Sequence, residues 1–224
     1  MTAGPSVVVF DVNETLSDLS PLADRFEEVG LPVGLAATWF AALLRDGFAL
    51  ATLGEAKNFA EIGESVLREL MHNRPLRLDP NSAVQHIMSA FNGLGTHPDV
   101  VPGVRALREA GLRLVTLSNG SLSVGEGLLG RAGVLDQFER LMSVQDAGIW
   151  KPAPGAYLYA ARECGTDPEA MVLVAVHPWD IHGAARAGMR TAWVNRSGGP
   201  YPSYFEPPTW SVAGIDGLVA ALSA

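Results

Sequence analysis

The chain has one cysteine, Cys164, in 224 residues. A single thiol closes no internal disulfide, which points to a reducing compartment. Its setting in a helical stretch reads as packing rather than catalysis. Basic residues are scarce: 16 Lys and Arg against 24 Asp and Glu give a formal charge of −8 at pH 7. That balance argues against nucleic acid or an anionic membrane as a partner. No apolar run approaches a membrane span. The opening Met1–Pro5 lacks the basic residues of a signal peptide, and the apolar run after it is too short for one. These absences make a cytoplasmic protein the expectation. Apolar residues are plentiful, at 48%. The length fits one large domain, or a core with an inserted subdomain.

The stretch Val7-Val8-Val9-Phe10-Asp11-Val12-Asn13-Glu14-Thr15 organises the rest. Its β-branched run is too short for a helix and predicts a buried parallel strand. Asp11 then lies just past the strand's carboxyl end, where open α/β sheets bind ligands. Alternatively, Asp11 only caps the next turn. Ser20-Pro21 reads as an N-cap followed by proline at the first helical position. From there to about residue 92 the period is helical. Leu35, Trp39 and Leu43 recur every four residues, as do Ile62, Val66 and Leu70, and Val84, Ile87, Met88 and Phe91 form another stripe. This predicts an insertion of about four helices, with Gly93-Leu94-Gly95 as the returning hinge.

Strands and helices alternate from there on. Strands are predicted over 112–117, 141–144, 171–176 and 191–194, and helices around 103–110, 121–132, 154–164, 183–187 and 215–222. That alternation means a parallel sheet covered on both faces. Residues 197–208, rich in Gly, Pro and Tyr, read as a surface loop. Four polar signals fall at strand ends or beside them: Asp11, Ser118-Asn119, Lys151 and Asp180. Taken singly they read as caps, a turn and a solvated loop charge. Taken together they fit one pocket at the carboxyl edge of the sheet. The chemistry is coherent: a carboxylate nucleophile, an ammonium that steadies it, donors for an anionic group, and a second carboxylate to orient the lysine or help activate water.

This order of motifs resembles the haloacid dehalogenase-like hydrolase superfamily over nearly the whole chain. The resemblance implies an α/β fold: a doubly wound, Rossmann-like parallel-sheet core over 1–16 and 97–224, with a helical cap over 17–96. Most members are magnesium-dependent phosphatases with a second aspartate two residues after the nucleophile. Here that position is Asn13, and Ala175 stands where a further metal-binding aspartate is usual. A hard cation wants several oxygen ligands, so no metal and no other cofactor is expected. Those features look like the metal-independent (S)-2-haloacid dehalogenases, as do Leu117–Ser121, Lys151-Pro152 with Tyr157, Trp179-Asp180, Trp193–Arg196 and, in the cap, Trp39 and Asn58-Phe59.

By that similarity Asp11 attacks the carbon bearing the halogen of a small-molecule carboxylic acid. Water then hydrolyses the ester to an inverted 2-hydroxy acid. Thr15 and Lys151 would hold Asp11, and Ser118 and Asn119 would bind the substrate carboxylate. Tyr157 and Asp180 would support Lys151 and the water, while Leu44, Phe59 and Trp179 form an apolar wall. Two positions depart from the pattern. Phe40 follows the cap tryptophan where an arginine usually helps bind halide. Ala175 and His177 replace a serine and an asparagine. His177 either donates to the leaving group or positions water, or simply bonds to its loop. His72, His86, His97 and His182 read as ordinary surface or cap residues. The other readings are a phosphatase of small phosphate esters, a hydrolase with a different leaving group, and a weakly active binding protein. The cap's apolar stripes would allow a homodimer but are more simply cap core.

Overall fold

A computed structural model describes residues 4–223; Met1–Ala3, part of the opening read against a signal peptide, lie outside the described residues. The chain begins with β1 (Val7–Phe10), followed by four helices, α1 (Leu22–Glu28), α2 (Leu35–Thr52), α3 (Phe59–Met71) and α4 (Pro80–Asn92). It continues through α5 (Val100–Glu109), β2 (Arg113–Ser118), α6 (Leu122–Arg131), β3 (Arg140–Ser143), α7 (Val144–Ala147) and α8 (Pro154–Cys164). It closes with β4 (Met171–Ala175), α9 (Pro178–Arg186), β5 (Arg190–Val194), β6 (Trp210–Val212) and α10 (Leu218–Leu222). Among the described residues no helix is long and apolar enough to cross a membrane.

All strand pairs are parallel, in the order β3-β2-β1-β4-β5-β6. This doubly wound order reverses direction between β1 and β4, and the crevice at their carboxyl ends is where such sheets take ligands. Phe10 pairs with Thr116 on one side and Val174 on the other, so Asp11 and the segment 176–180 emerge side by side. The period of two sorts β1 between two cores. Val8 and Phe10 pack with Val104, Leu107 and Leu129, whereas Val7 and Val9 join a cluster continuous with Trp39, Phe59 and Phe91 of the insertion.

The insertion leaves and returns through adjacent strands of chain. Ser17 bridges Thr96, and the Asp18 N–H donates to the Gly95 carbonyl at 2.9 Å. The Trp39 indole donates to the Gly63 carbonyl at 2.9 Å, tying α2 to α3. Gly47 brings α2 against the Trp150 ring, where a Cβ would collide.

Several expectations shift. Pro21 is the N-cap of α1, which starts at Leu22. The helix placed at 183–187 starts at Pro178, because proline suits a first turn, so Trp179 and Asp180 are helical. The segment 144–147 is a helical turn, not the end of a strand. The surface loop is followed by an unforeseen strand, β6, whose three residues are too short to show a period.

Candidate active site

Asp11 is 3% exposed. Its Oδ2 accepts from the Thr15 hydroxyl at 2.6 Å, and that hydroxyl accepts in turn from the Val176 N–H at 3.1 Å. Thr15 therefore braces the carboxylate against the end of β4. The turn that places Thr15 passes through Glu14 in the left-handed region, at φ 60°, a costly conformation for a residue with a Cβ. Hydrogen bonds pin that turn from outside. Arg196 forks onto Asp99 at 2.8 and 3.1 Å and also donates to the Thr15 and Glu14 carbonyls at 2.9 and 3.4 Å. The ring of His97 lies 3.0 Å from the Glu14 carbonyl.

Lys151 is fully buried, with its Nζ donating to Asp11 Oδ1 at 2.9 Å and to Asp180 Oδ2 at 2.6 Å. The Tyr157 hydroxyl donates to Asp180 Oδ1 at 2.6 Å. Both Asp180 oxygens are thus occupied by groups that no water reaches. Burial opposes the Lys151 charge, but the two carboxylates outweigh it and raise its pKa. Burial likewise pushes the Tyr157 hydroxyl well up, and the charge of Asp180 adds to this. Burial also raises Asp180, against the pull of Lys151. Asp11 goes the other way: burial would raise it, but Lys151, His177 and Thr15 together hold the carboxyl far below the usual range. The nucleophile candidate is an anion at neutral pH.

Asn119 orients this lysine through its backbone. Its Oδ1 accepts from the Lys151 N–H at 3.0 Å, and its Nδ2 donates to the Lys151 carbonyl at 3.3 Å. Ser118 Oγ accepts from the Gly120 N–H at 2.9 Å. Each side chain keeps one hydrogen free of these bonds, the hydroxyl proton of Ser118 and the second amide proton of Asn119.

His177 lies across Asp11 from this group of contacts. Its Nδ1 is 3.1 Å from Asp11 Oδ2, and its Nε2 is 2.8 Å from Glu14 Oε2. Burial pushes the imidazole down, but hydrogen bonds to Asp11 and Glu14, and their charges, carry its pKa up to about 9. The Trp179 and Phe40 rings stack on it at centroid distances of 4.9 and 6.3 Å. Trp179 also lies 5.9 Å from Lys151 Nζ. Phe59 packs on Phe40 and stacks on Trp150, whose indole donates to the Lys57 carbonyl at 2.9 Å. Leu44 is buried in the same apolar cluster.

Two cap candidates are engaged elsewhere. Trp39 is fully buried and bonded to Gly63, and Asn58 is exposed and caps α3 by accepting from the Ala60 N–H at 2.8 Å. Nothing in the sequence pattern marks Glu14, Asp99 and Arg196 for this role, and His97, unlike an ordinary surface histidine, is bonded to the turn. The residues present do not fit a divalent cation. Asp11 is flanked by two cationic side chains, Ala175 is buried and apolar, and no group of three or more acidic, His or Cys side chains among the described residues could hold a metal.

The haloacid dehalogenase-like hydrolase model matches residues 5–188. Haloacetate dehalogenase H-2 of Moraxella sp. (strain B) is 29% identical over 214 residues, 95% of each chain. The (S)-2-haloacid dehalogenase of Pseudomonas sp. (strain YL) is 28% identical, covering 95% of this chain and 92% of that one. The structure of the L-2-haloacid dehalogenase RSc1362 superposes with a TM-score of 0.91 at 30% identity over 99% of this chain and 100% of that one. At 24% identity, the Xanthobacter autotrophicus L-2-haloacid dehalogenase with covalently bound chloropropionic acid shares the fold, with a TM-score of 0.87 and coverage of 98% and 99%. A match across most of the chain, over a doubly wound sheet with Asp11 and Lys151 paired at its switch point, makes the chain a member of the haloacid dehalogenase-like hydrolase family.

Proposed function

We propose that the chain hydrolyses the carbon–halogen bond of short 2-haloalkanoic acids through an ester on Asp11, without a metal. One observation carries the reading: a buried carboxylate kept ionised by Lys151, His177 and Thr15, with Asn13 where a phosphatase needs a second acid. The relatives named above are dehalogenases of haloacetate and of (S)-2-haloacids, and one solved relative carries chloropropionic acid covalently bound.

The substrate carboxylate is received by the free hydrogens of Ser118 and Asn119. An Asp11 oxygen attacks the substituted carbon from the side opposite the halogen, and the carbon–halogen electron pair leaves as halide. Whichever oxygen becomes the ester oxygen, the carbonyl keeps a donor: Thr15 on Oδ2 or Lys151 on Oδ1. Phe40 gives the halide an aromatic wall where an arginine is usual, and Phe59, Leu44 and Trp179 exclude water. The helical insertion over 17–96 acts as the cap that closes the site over the core.

The test is halide release from (S)- and (R)-2-chloropropionate and from chloro- and fluoroacetate in EDTA. The wild-type chain releases halide from the (S)-acid in EDTA, and the Asp11→Asn variant does not. Magnesium-dependent phosphate release from a phosphate ester, with no halide, would overturn the reading.

A further inference from the structure

A cavity of 240 Å³ lies between α1 and α2, with Leu22, Val33, Ala36, Ala37 and Phe40 in its wall and Glu14 at its edge. Val33 is 49% exposed and Phe40 only 5%. The cavity therefore runs from the surface to the Phe40 ring. On its other side that ring faces the active site, stacked on His177 and packed against Phe59 at centroid distances of 6.3 and 6.4 Å. We propose that Phe40 sets the chain length of the substrate. Its ring is the partition between the site and this cavity, so only a short 2-alkyl group fits, and removing the ring lets a longer alkyl chain run into the cavity. The proposal rests on the dehalogenase reading above and narrows its substrate class.

The sheet order decides which part of the substrate meets Phe40. Ser118 ends β2, on one flank of Asp11, whereas His177 and Trp179 follow β4, on the other. A substrate carboxylate received by Ser118 and Asn119 lies on the β2 flank. Carbon 2 sits at Asp11, so its other substituents turn towards β4 and the cap. Phe40, stacked on His177, is the cap side chain that stands over that flank.

The helix explains the space behind the ring. A helical side chain leans towards the N-terminus of its helix, over the residues three and four before it. For Phe40 these are Ala37 and Ala36, whose methyl groups leave the volume beyond the ring unfilled. Leu22 and Val33 complete a largely aliphatic wall, which suits a methylene chain. Glu14, an anion at the edge, disfavours a second carboxylate there. The ligand class is thus the monocarboxylic 2-haloalkanoic acid, with Phe40 limiting its length.

The experiment measures kcat and KM for halide release by the full chain in EDTA, from (S)-2-chloropropionate, (S)-2-chlorobutanoate and (S)-2-chlorohexanoate. In the wild type kcat/KM falls about 10-fold or more from the propionate to the hexanoate. In Phe40→Ala the hexanoate gains on the propionate by about 4-fold per added methylene. The gain lies in KM, because the tail is buried equally in the ground and transition states. Adding Ala36→Phe refills the cavity and restores the wild-type profile. Loosened packing alone would slow all three acids alike, and Ala36→Phe would not reverse it. Phe40→Leu disturbs folding less and gives an intermediate profile. Calorimetric binding of propionate and hexanoate, which carry no halogen, follows the same order and decides the matter for a variant that does not turn over. A wild type that takes the chlorohexanoate as readily as the chloropropionate overturns the proposal. So does a gain that survives Ala36→Phe, or the absence of any gain, in rate or binding, in both Phe40 variants. Any of these with wild-type halide release intact defeats this proposal alone. If the wild type releases no halide from (S)-2-chloropropionate, the dehalogenase reading fails and the proposal with it.

Discussion

Asp11 stands between two unlike cations. On one side Lys151, Asp180 and Tyr157 form a fully buried chain whose contacts, at 2.6 to 2.9 Å, are all internal. On the other, His177 and Glu14 meet a cavity and the exposed side of the turn. Both sides supply positive charge to the carboxylate. Only one can change its charge near neutral pH, because lysine keeps its proton there and a histidine held between anions titrates within reach. Sealing in the permanent charge makes the nucleophile a fixture, and leaving the titratable charge wet gives protons a way in and out.

The comparison is broken most severely at Lys151. Lys151→Met leaves Asp11 and Asp180 buried without their shared ammonium, and removing one partner of a buried ion pair costs about 3–5 kcal/mol. A fall in melting temperature of about 10 °C is expected by calorimetry, together with loss of halide release. Adding Asp180→Asn to that variant removes one of the stranded charges and recovers part of the temperature but none of the activity. A fall at Lys151 no larger than that at His177 would mean that the two sides are not the fixture and the switch described.

The second effect is a pH slope. The pKa of His177 rises from 6.5 unfolded to about 9 folded, so its contribution is fully present below pH 6.5 and is lost as pH rises through 9. Asp11 is depressed, so its own contribution is constant across that window and is lost only in acid. Wild-type stability by urea titration should fall by about 3 kcal/mol between pH 6.5 and 9.5. In His177→Asn that slope should be absent. Equal slopes in the two proteins would show that His177 is not held between two anions in solution.

The Lys151 side was readable from the sequence and much of the His177 side was not. Asp11, Ser118-Asn119, Lys151 and Asp180 each follow an apolar run or lie in the loop beside one, so a one-dimensional period locates them. Parallel strands then carry them to one edge. The cap helices were readable for the same reason, through stripes such as Leu35, Trp39 and Leu43. Glu14, His97 and Arg196 carry no period. They meet through a left-handed turn and through contacts 83 and 181 residues apart in the chain, and nothing local encodes such pairings. Trp39 and Asn58 show what resemblance leaves out. Resemblance marked them for the site, whereas a buried indole needs an acceptor and a helix start needs a cap, and each found its partner within the cap. Strand β6 escaped because three residues are too few to show a period.

A smaller effect tests the sealed side alone. Tyr157→Phe removes one of the two donors on Asp180 while keeping the ring packed. A buried carboxylate oxygen without its donor costs about 1–3 kcal/mol. Lys151 still neutralises Asp180, so halide release should persist at a reduced rate, measured alongside thermal unfolding. Complete loss of alkylation would instead give Tyr157 a direct part in holding the nucleophile.

The smallest effect separates the two sides most finely. Arg196 donates to the Thr15 carbonyl, which belongs to the brace on Asp11, and to the Glu14 carbonyl, which belongs to the His177 side. Arg196→Lys keeps the charge but cannot fork onto Asp99 while reaching both carbonyls. A loss of about 1 kcal/mol in stability is expected from the weakened bonds. The split between pH slope and rate carries the information. The Thr15 side chain has anchors in Asp11 and the Val176 N–H, whereas the left-handed Glu14 is held at its carbonyl by Arg196 and His97. Loosening that clamp should therefore weaken the hold of Glu14 on His177, reduce the pH slope of stability and leave halide release nearly unchanged. Slowed halide release with an unchanged slope would mean that the turn acts on catalysis through Thr15 and the nucleophile, and that Glu14 tolerates displacement.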